Sequence, residues 1–502
     1  MTADWILAHD VGTSGTKSSL VRADGGIEAS RATPHRTHAA PGGIAEQDAA
    51  DWWAGVCANT RSLLAAQPGA AARLAGVGVS GHMLGCLPLD AAGRPLRRHM
   101  IHADCRAVAE AEFVAREIGA DEIYRVTGNL VDARSPLCKM RWIRRHEPDV
   151  HRRAARYVQS KDFIVGSMTG SFSTTDLSDA SHAQWLDIRR RAVARDLFQA
   201  LELDPDRIPE PRRAIDVVGR VSREAAAAMG IPEGLPVVAG GGDGACANAG
   251  AGAVRPGVTY GCIGTTAWVA SIRPEPFIDP KRHVFDICTL DGEAVGLYGT
   301  VQAAGRALDW AMGVLGEKGF AEFDRHLASI PAGCDGLVFL PYLEGERSPI
   351  WDARARGVYF GLTPAHRREH LLRATVEGVS YALRSVIEAL REVGPIPALR
   401  LIGGGGQSAA WRRMLADIAG VEIQVLSTQA ADATSLGAAI AAGVGVGLFR
   451  DLAHGAASIA VTESHAPDPA ARAIYDARYA LYTSLYPALK PAFAQLAETL
   501  AG

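Results

Sequence analysis

The chain has 502 residues, too many for one hydrophobic core, so about two to four domains are expected. Its 52 basic and 55 acidic residues leave a formal charge of -3, which removes any global electrostatic case for a nucleic acid or an anionic membrane as partner. The eight cysteines are scattered with no C-x-x-C pair, so neither a disulfide framework nor a structural zinc site is indicated, and a reducing cytoplasm is the expected compartment. The first residues, MTADWILAHD, lack a basic segment followed by a long apolar stretch, so no signal peptide is expected.

The first marked stretch is HDVGTSGTKSSLV at 9–21, after the apolar run Trp5-Ile6-Leu7-Ala8. A P-loop needs Gly directly before Lys, so that the chain curls round a phosphate and enters a helix, but here Thr16 separates Gly15 from Lys17. Residues 18–23 are β-compatible and Asp24-Gly25-Gly26 signals a turn, which predicts strand, tight turn, strand. Such a hairpin either grips an anion through backbone N–H groups, hydroxyls and Lys17, with Asp10 placed to hold Mg²⁺ through water, or is a Gly-rich turn with a solvated lysine.

Residues 75–80 read as a buried strand that ends in Ser80-Gly81-His82-Met83-Leu84-Gly85. His102, Asp104 and Arg106 follow within five positions and offer donors and acceptors suited to a polyhydroxylated ligand. The alternatives are a core histidine at His82 and a structural ion pair between Asp104 and Arg106. The basic segment 141–156 is broken by Glu147, Pro148 and Asp149 and has only Trp142 and Tyr157 as aromatics, which fits a solvated helix face better than a base-stacking platform. Helical periodicity is expected at 192–201, and Pro- and Gly-rich breaks at 207–211 and 253–257 put a domain boundary near residue 250.

A strand at 235–239 leads into Gly240-Gly241-Gly242-Asp243-Gly244 and then a small-residue helix. Asp243 is the only ionisable side chain at that tip, placed either to accept a hydroxyl proton during phosphoryl transfer or to cap the helix. At 257–272 the opening pattern returns: apolar strand, Gly264-Thr265-Thr266 turn, apolar strand. The two turns lie half a chain apart, which suggests two related domains whose hairpins clamp a phosphate chain between them. A helix is expected at 371–390, and Gly403-Gly404-Gly405-Gly406-Gln407-Ser408 joins a strand at 399–401 to a helix at 411–418, a turn able to face a nucleotide. The uncharged run 433–449 is 17 residues long, short for a membrane span and rich in small residues, so a closely packed helix is expected there. Alternating strands and helices in both halves make the class α/β.

In order along most of the chain these motifs resemble the FGGY carbohydrate kinases of the actin-like ATPase superfamily, and within them the xylulokinase-like branch. Two longer stretches carry the resemblance: Pro136-Leu137-Cys138-Lys139-Met140-Arg141-Trp142-Ile143 is similar to the family's first signature, and Gly357-Val358-Tyr359-Phe360-Gly361-Leu362 with His370-Leu371 and Ala374-Thr375-Val376-Glu377 to its second. The resemblance implies two actin-like (ribonuclease H-like) domains, 1–250 on the sugar side and 251–502 on the ATP side, with a cleft between them. It implies ATP-dependent phosphorylation of a sugar hydroxyl, with ATP and Mg²⁺ required and a ketopentose such as D-xylulose as acceptor. Asp243 would be the base, Asp10 the Mg²⁺ ligand through water, and His82, Met83, His102, Asp104, Arg106 and Asp243 the sugar contacts. Gly12, Thr13, Ser14, Lys17, Gly264, Thr265, Thr266, Gly305, Gly404, Gly405, Gln407 and Ser408 would bind ATP. Partners would be sugar and ATP, with neither nucleic acid nor membrane, and the assembly is open between monomer and homodimer.

Departures cluster on the sugar side. The branch's G-Q-M-H-G is Gly81-His82-Met83-Leu84-Gly85 here, its Asn after the catalytic Asp is Gly244, and its Trp is His102. Another ketose, a sugar acid or a polyol is therefore an alternative acceptor; glycerol is disfavoured because the Arg-Glu pair of that branch is missing. A reading of a different class is an actin-like ATPase switch that phosphorylates no sugar.

Overall fold

The computed structural model describes residues 3–317, 319–428 and 432–501. Two seven-stranded sheets carry it, and they repeat one plan. In the first lobe, Trp5–Val11 pairs antiparallel with Gly15–Arg22, which pairs antiparallel with Ile27–Pro34; on its other side Trp5–Val11 pairs in parallel with Leu74–Gly81. In the second lobe, Thr259–Ile263, Ala267–Arg273 and Val295–Val301 repeat that antiparallel set, and Ala398–Ile402 then Glu422–Leu426 extend it in parallel. The fold is the expected two-lobed α/β duplication. The central strand reads Trp-Ile-Leu-Ala-His-Asp-Val without polar alternation because both of its faces are covered.

What joins the lobes is a crossing of two helices, Asp243–Gly250 and Ala433–Gly445. The second is the expected uncharged helix, buried along almost its whole length. Their backbones touch: a Cβ on Gly250 would lie 1.8 Å from the carbonyl oxygen of Ala433, and one on Gly437 1.9 Å from that of Cys246. The same helix lies on the first lobe's sheet, where a Cβ on Gly78 would stand 2.2 Å from the Ala438 carbonyl oxygen. A segment late in the chain thus packs on the first lobe, so packing and chain order part company there. Gly437→Ala is expected to destabilise the protein by about 1–3 kcal/mol or more, because backbone cannot yield as a side chain does; a lowered denaturation midpoint by circular dichroism checks this.

Between the strands Leu74–Gly81 and Pro236–Val238 an insertion builds its own core, including Leu137, Ile143, Tyr157, Trp185 and Phe198. The basic segment is the surface of helices Pro136–His146 and Pro148–Arg153, where Arg144 pairs with Glu202 and Arg145 with Glu110. The helix expected at 192–201 is shorter, Arg195–Ala200, because Ala192–Val193 pairs as a strand with Leu186–Asp187. The other expected helices run Arg368–Arg391 and Ala409–Ala419. All eight cysteines are free, and no helix among the described residues is long and apolar enough to cross a membrane.

Candidate active site

Strand register brings the two acids together. Asp10 sits at the carboxyl end of the central strand beside Ser80, and Ser80 is in turn beside Gly241, two residues before Asp243. Gly242, not Asp243, occupies the N-cap of the helix Asp243–Gly250. Asp243 Oδ1 accepts the Gly244 N–H at 2.8 Å, and its other oxygen carries no hydrogen bond among the described residues. Burial, and then the charge of Asp10, raise Asp243 to about 7 against the pull of that N–H. Burial also lifts Asp10 to about 6 against Ser80 and Lys17, and its Oδ1 has no hydrogen-bond partner among the described residues. The second lobe closes on the same point: the Tyr260 hydroxyl reaches the Gly244 carbonyl at 3.3 Å, and Cys262 feels the charge of Asp243. Cys262 stands two residues before Gly264, as Asp10 stands two before Gly12. Asp243 therefore lies where the equivalent strand ends of the two lobes meet.

Both turns are built as backbone hairpins. The Gly12 N–H bonds the Gly15 carbonyl at 3.0 Å, and the Gly264 N–H bonds the Thr266 carbonyl at 2.9 Å. Gln47 pins the first turn by donating to the Thr13 carbonyl at 2.7 Å, leaving Thr13 partly exposed and Ser14 exposed; Thr265 is likewise exposed and Thr266 partly so. Gly305 packs under the second turn, where its N–H bonds the Gly264 carbonyl at 2.8 Å and a Cβ would stand 2.5 Å from that oxygen. Gly403, at φ +99, abuts Ile263, where a Cβ would meet the carbonyl oxygen at 2.4 Å. Gly404 and Gln407 are exposed and Gly405 partly so, beside that turn. The set Gly264, Thr265, Thr266, Gly305, Gly404 and Gly405 is thus assembled from three distant segments.

Five of the expected ligand contacts are engaged by partners within the protein. Lys17 pairs with Asp432, the residue preceding the helix Ala433–Gly445, and so ties the lobes together. Ser408 caps the helix Ala409–Ala419 by accepting the Trp411 N–H at 3.1 Å, and donates to Asp324 at 2.6 Å. Asp104 is wholly buried, accepting the Ala45 N–H at 2.9 Å and pairing with Arg106, which also pairs with Glu46 and lies over the Trp142 ring. The structural ion pair is the alternative that holds for these two. For His82 the core alternative holds: its ring is buried edge-on against Trp52 and beside His99, and burial keeps it neutral.

Met83 and His102 remain at the site. Met83 presses on Gly242, where a Cβ would stand 2.5 Å from its terminal methyl, which is why glycine precedes the acid. His102 is held neutral, at about 4, by burial and by the charges of Lys139, Arg347 and Arg134. Lys139, from the first signature stretch, donates to the carbonyls of Leu84 and Ile101, both at 2.7 Å, and so clamps together the two loops that carry Met83 and His102. Sequence reasoning passed over the wall beyond them: Asn129, Asp132, Arg134, His182, Phe285, Arg347 and Trp351 line a cavity with Leu84. Only the side-by-side charges Asp132-Ala133-Arg134 could have signalled it.

The profile of the FGGY family of carbohydrate kinases, N-terminal domain, matches residues 5–250, and that of its C-terminal domain residues 259–446. The xylulose kinase of Escherichia coli K12 is 31% identical over 487 residues, 97% of this chain and 99% of that protein. Among solved structures, a xylulose kinase from Rhodospirillum rubrum superimposes with a TM-score of 0.90 at 31% identity, covering 98% of this chain and 100% of that one. A gluconate kinase from Lactobacillus acidophilus gives 0.93 at 26% identity, covering 98% and 99%.

Proposed function

This chain belongs to the FGGY family of carbohydrate kinases and is an ATP-dependent sugar kinase, and from that premise we propose that Asp243 is the base that takes the proton of the sugar hydroxyl. The observation that carries this is the position of Asp243 at the meeting point of the two hairpin strands, raised to about 7 with one oxygen free of hydrogen bonds among the described residues. A carboxylate there is basic enough to receive a hydroxyl proton and is about half ionised at neutral pH, and more so above it.

ATP is the second substrate. Its phosphates would lie between Gly12-Thr13-Ser14 and Gly264-Thr265-Thr266, whose N–H and hydroxyl groups are suited to anions. The adenosine would lie on Gly404-Gly405. Asp10, with its buried and unpartnered Oδ1, fits Mg²⁺ bound through water, and the ion would neutralise phosphate charge. The acceptor oxygen forms the new P–O bond, the bond between the γ-phosphorus and the β–γ bridging oxygen breaks, ADP leaves with the electron pair, and the proton passes to Asp243. Positioning and charge supply most of the rate, and closure of the lobes excludes water as a competing nucleophile.

D-xylulose is the first acceptor to test, since the relatives at 31% identity carry that name. Incubation with ATP and single sugars, followed by mass spectrometry, should yield ADP and a phosphorylated sugar in equal amounts. Hydrolysis of ATP at the same rate with and without sugar, and no phosphosugar, would instead support an ATPase switch.

A further inference from the structure

Glu317 follows the helix Gly305–Leu315, and Glu322 and His326 lie one turn apart on the next helix, Phe320–Ala328, so that both project from one face of it. One ligand atom from each of these three side chains lies within 4.8 Å of the other two, the only cluster of this kind among the described residues. The Glu317 side chain is wholly buried. Its Oε2 accepts from His326 Nδ1 at 3.0 Å and from Arg368 Nη2 at 3.2 Å, but its Oε1 is buried with no hydrogen-bond partner among the described residues. The other terminal nitrogen of Arg368 is turned to the Leu315 carbonyl, at 3.2 Å. Glu322 is partly exposed and makes no ion pair or hydrogen bond among the described residues. A buried acid oxygen is thus left without a donor where a second acid and an imidazole converge.

An unsatisfied buried carboxylate oxygen is costly, and a cation is the group that would satisfy it. Metal bonds of about 2.0–2.2 Å put neighbouring ligand atoms about 3.0–3.4 Å apart, so His326 and Glu317 already stand at the spacing of two ligands on one ion. Glu322 has at most about 2 Å to close, which a partly exposed side chain does by rotation. Two carboxylates with an imidazole suit zinc, cobalt or manganese, whereas magnesium and calcium take oxygen ligands. We propose that Glu317, Glu322 and His326 bind a divalent transition-metal ion, zinc by preference, with water completing its shell. This is a different site from the Mg²⁺ position at Asp10, and its place in the fold gives it a role. The helix Gly305–Leu315 begins under the second turn, where the Gly305 N–H bonds the Gly264 carbonyl. Asp324, between Glu322 and His326, accepts the Ser408 hydroxyl at 2.6 Å, at the end of the Gly403–Ser408 turn. The ion would lock together the two helices that support these turns.

Calorimetric titration of the full chain with Zn²⁺, after removal of metal with EDTA and return to a buffer containing excess Mg²⁺, tests this. Zn²⁺ should bind saturably and raise the melting temperature. Glu322→Gln and His326→Ala should each weaken that binding by about tenfold or more. Glu322→Gln breaks no ion pair or hydrogen bond, so without zinc it should melt with the parent, and it decides the matter alone should His326→Ala not fold. Co²⁺ bound in place of zinc should show the visible absorption of an oxygen and nitrogen site. Zinc should also tighten the binding of a non-hydrolysable ATP analogue by about twofold or more in the parent but not in Glu322→Gln, since the supports of the turns are then fixed in advance. No saturable binding in the presence of Mg²⁺, an affinity unchanged in both variants, or a thiolate-to-cobalt band would overturn the metal site. Analogue affinity unchanged by zinc would overturn its link to the nucleotide turns and leave the kinase reading standing.

Discussion

Asp243→Asn is expected to lower kcat by about 10²- to 10⁴-fold, the range for loss of a positioned acid–base group, while ATP affinity stays within about threefold of the parent. The separation follows from the geometry. Asp243 belongs to the floor of the site between the strand ends, and the ATP contacts proposed here lie on the two turns and on the Gly404 loop. Asparagine keeps the acceptor for the Gly244 N–H, so the helix start survives and only basicity is lost. The pH profile should change in step. With Asp243 raised to about 7 by burial and by Asp10, kcat/KM of the parent should fall about tenfold per unit as pH drops below that value, because the protonated acid takes up no further proton. That limb should vanish in Asp243→Asn. Loss of ATP binding, with the melting curve intact, would place Asp243 among the nucleotide contacts instead.

Lys161→Met should destabilise the protein by about 3–5 kcal/mol, as expected when one partner of a buried ionic cluster is removed. Lys161 is wholly buried, and its ammonium meets Asp162, Asp176 and Asp179, the last two at 3.0 and 3.3 Å. Burial works against the charge of Lys161, yet three carboxylates outweigh it and hold the ammonium protonated. Methionine matches the shape but leaves those acids facing each other. The cluster also reaches the active site: Asp176 accepts the Ser178 hydroxyl at 2.5 Å, and Ser178 Oγ accepts the Gly242 N–H at 2.9 Å, one residue before Asp243. Chemical denaturation should therefore show the loss of stability, and the folded fraction should show reduced kcat. A denaturation midpoint within error of the parent would mean the three acids are neutral or hydrated without Lys161.

How far the sequence discloses this site depends on whether partners are near in the chain. The two hairpins were legible because Gly and Thr interrupt apolar runs, and a turn is a local object. The helix Ala433–Gly445 was legible for a similar reason, since an uncharged stretch of small residues has few uses besides close packing. Asp10 and Asp243 stood out as lone acids at glycine-rich strand ends. Side chains that answer to distant partners did not disclose their roles. Lys17 lies beside a phosphate-like turn in sequence, but its partner Asp432 comes from the other lobe. Asp104 and Arg106 have the spacing of a ligand pair, yet Glu46 and Trp142 come in from elsewhere to complete a structural cluster. Ser408 looked like part of a nucleotide loop and is the cap of the helix after it.

The most direct measurement is a crystal structure with a non-hydrolysable ATP analogue and an acceptor sugar. It should show the β- and γ-phosphates held by both Gly12-Thr13-Ser14 and Gly264-Thr265-Thr266, with the acceptor hydroxyl within about 3–3.5 Å of the γ-phosphorus and hydrogen-bonded to Asp243. Phosphates resting on one turn alone, or a hydroxyl out of reach of Asp243 with the lobes closed, would contradict the proposed mechanism.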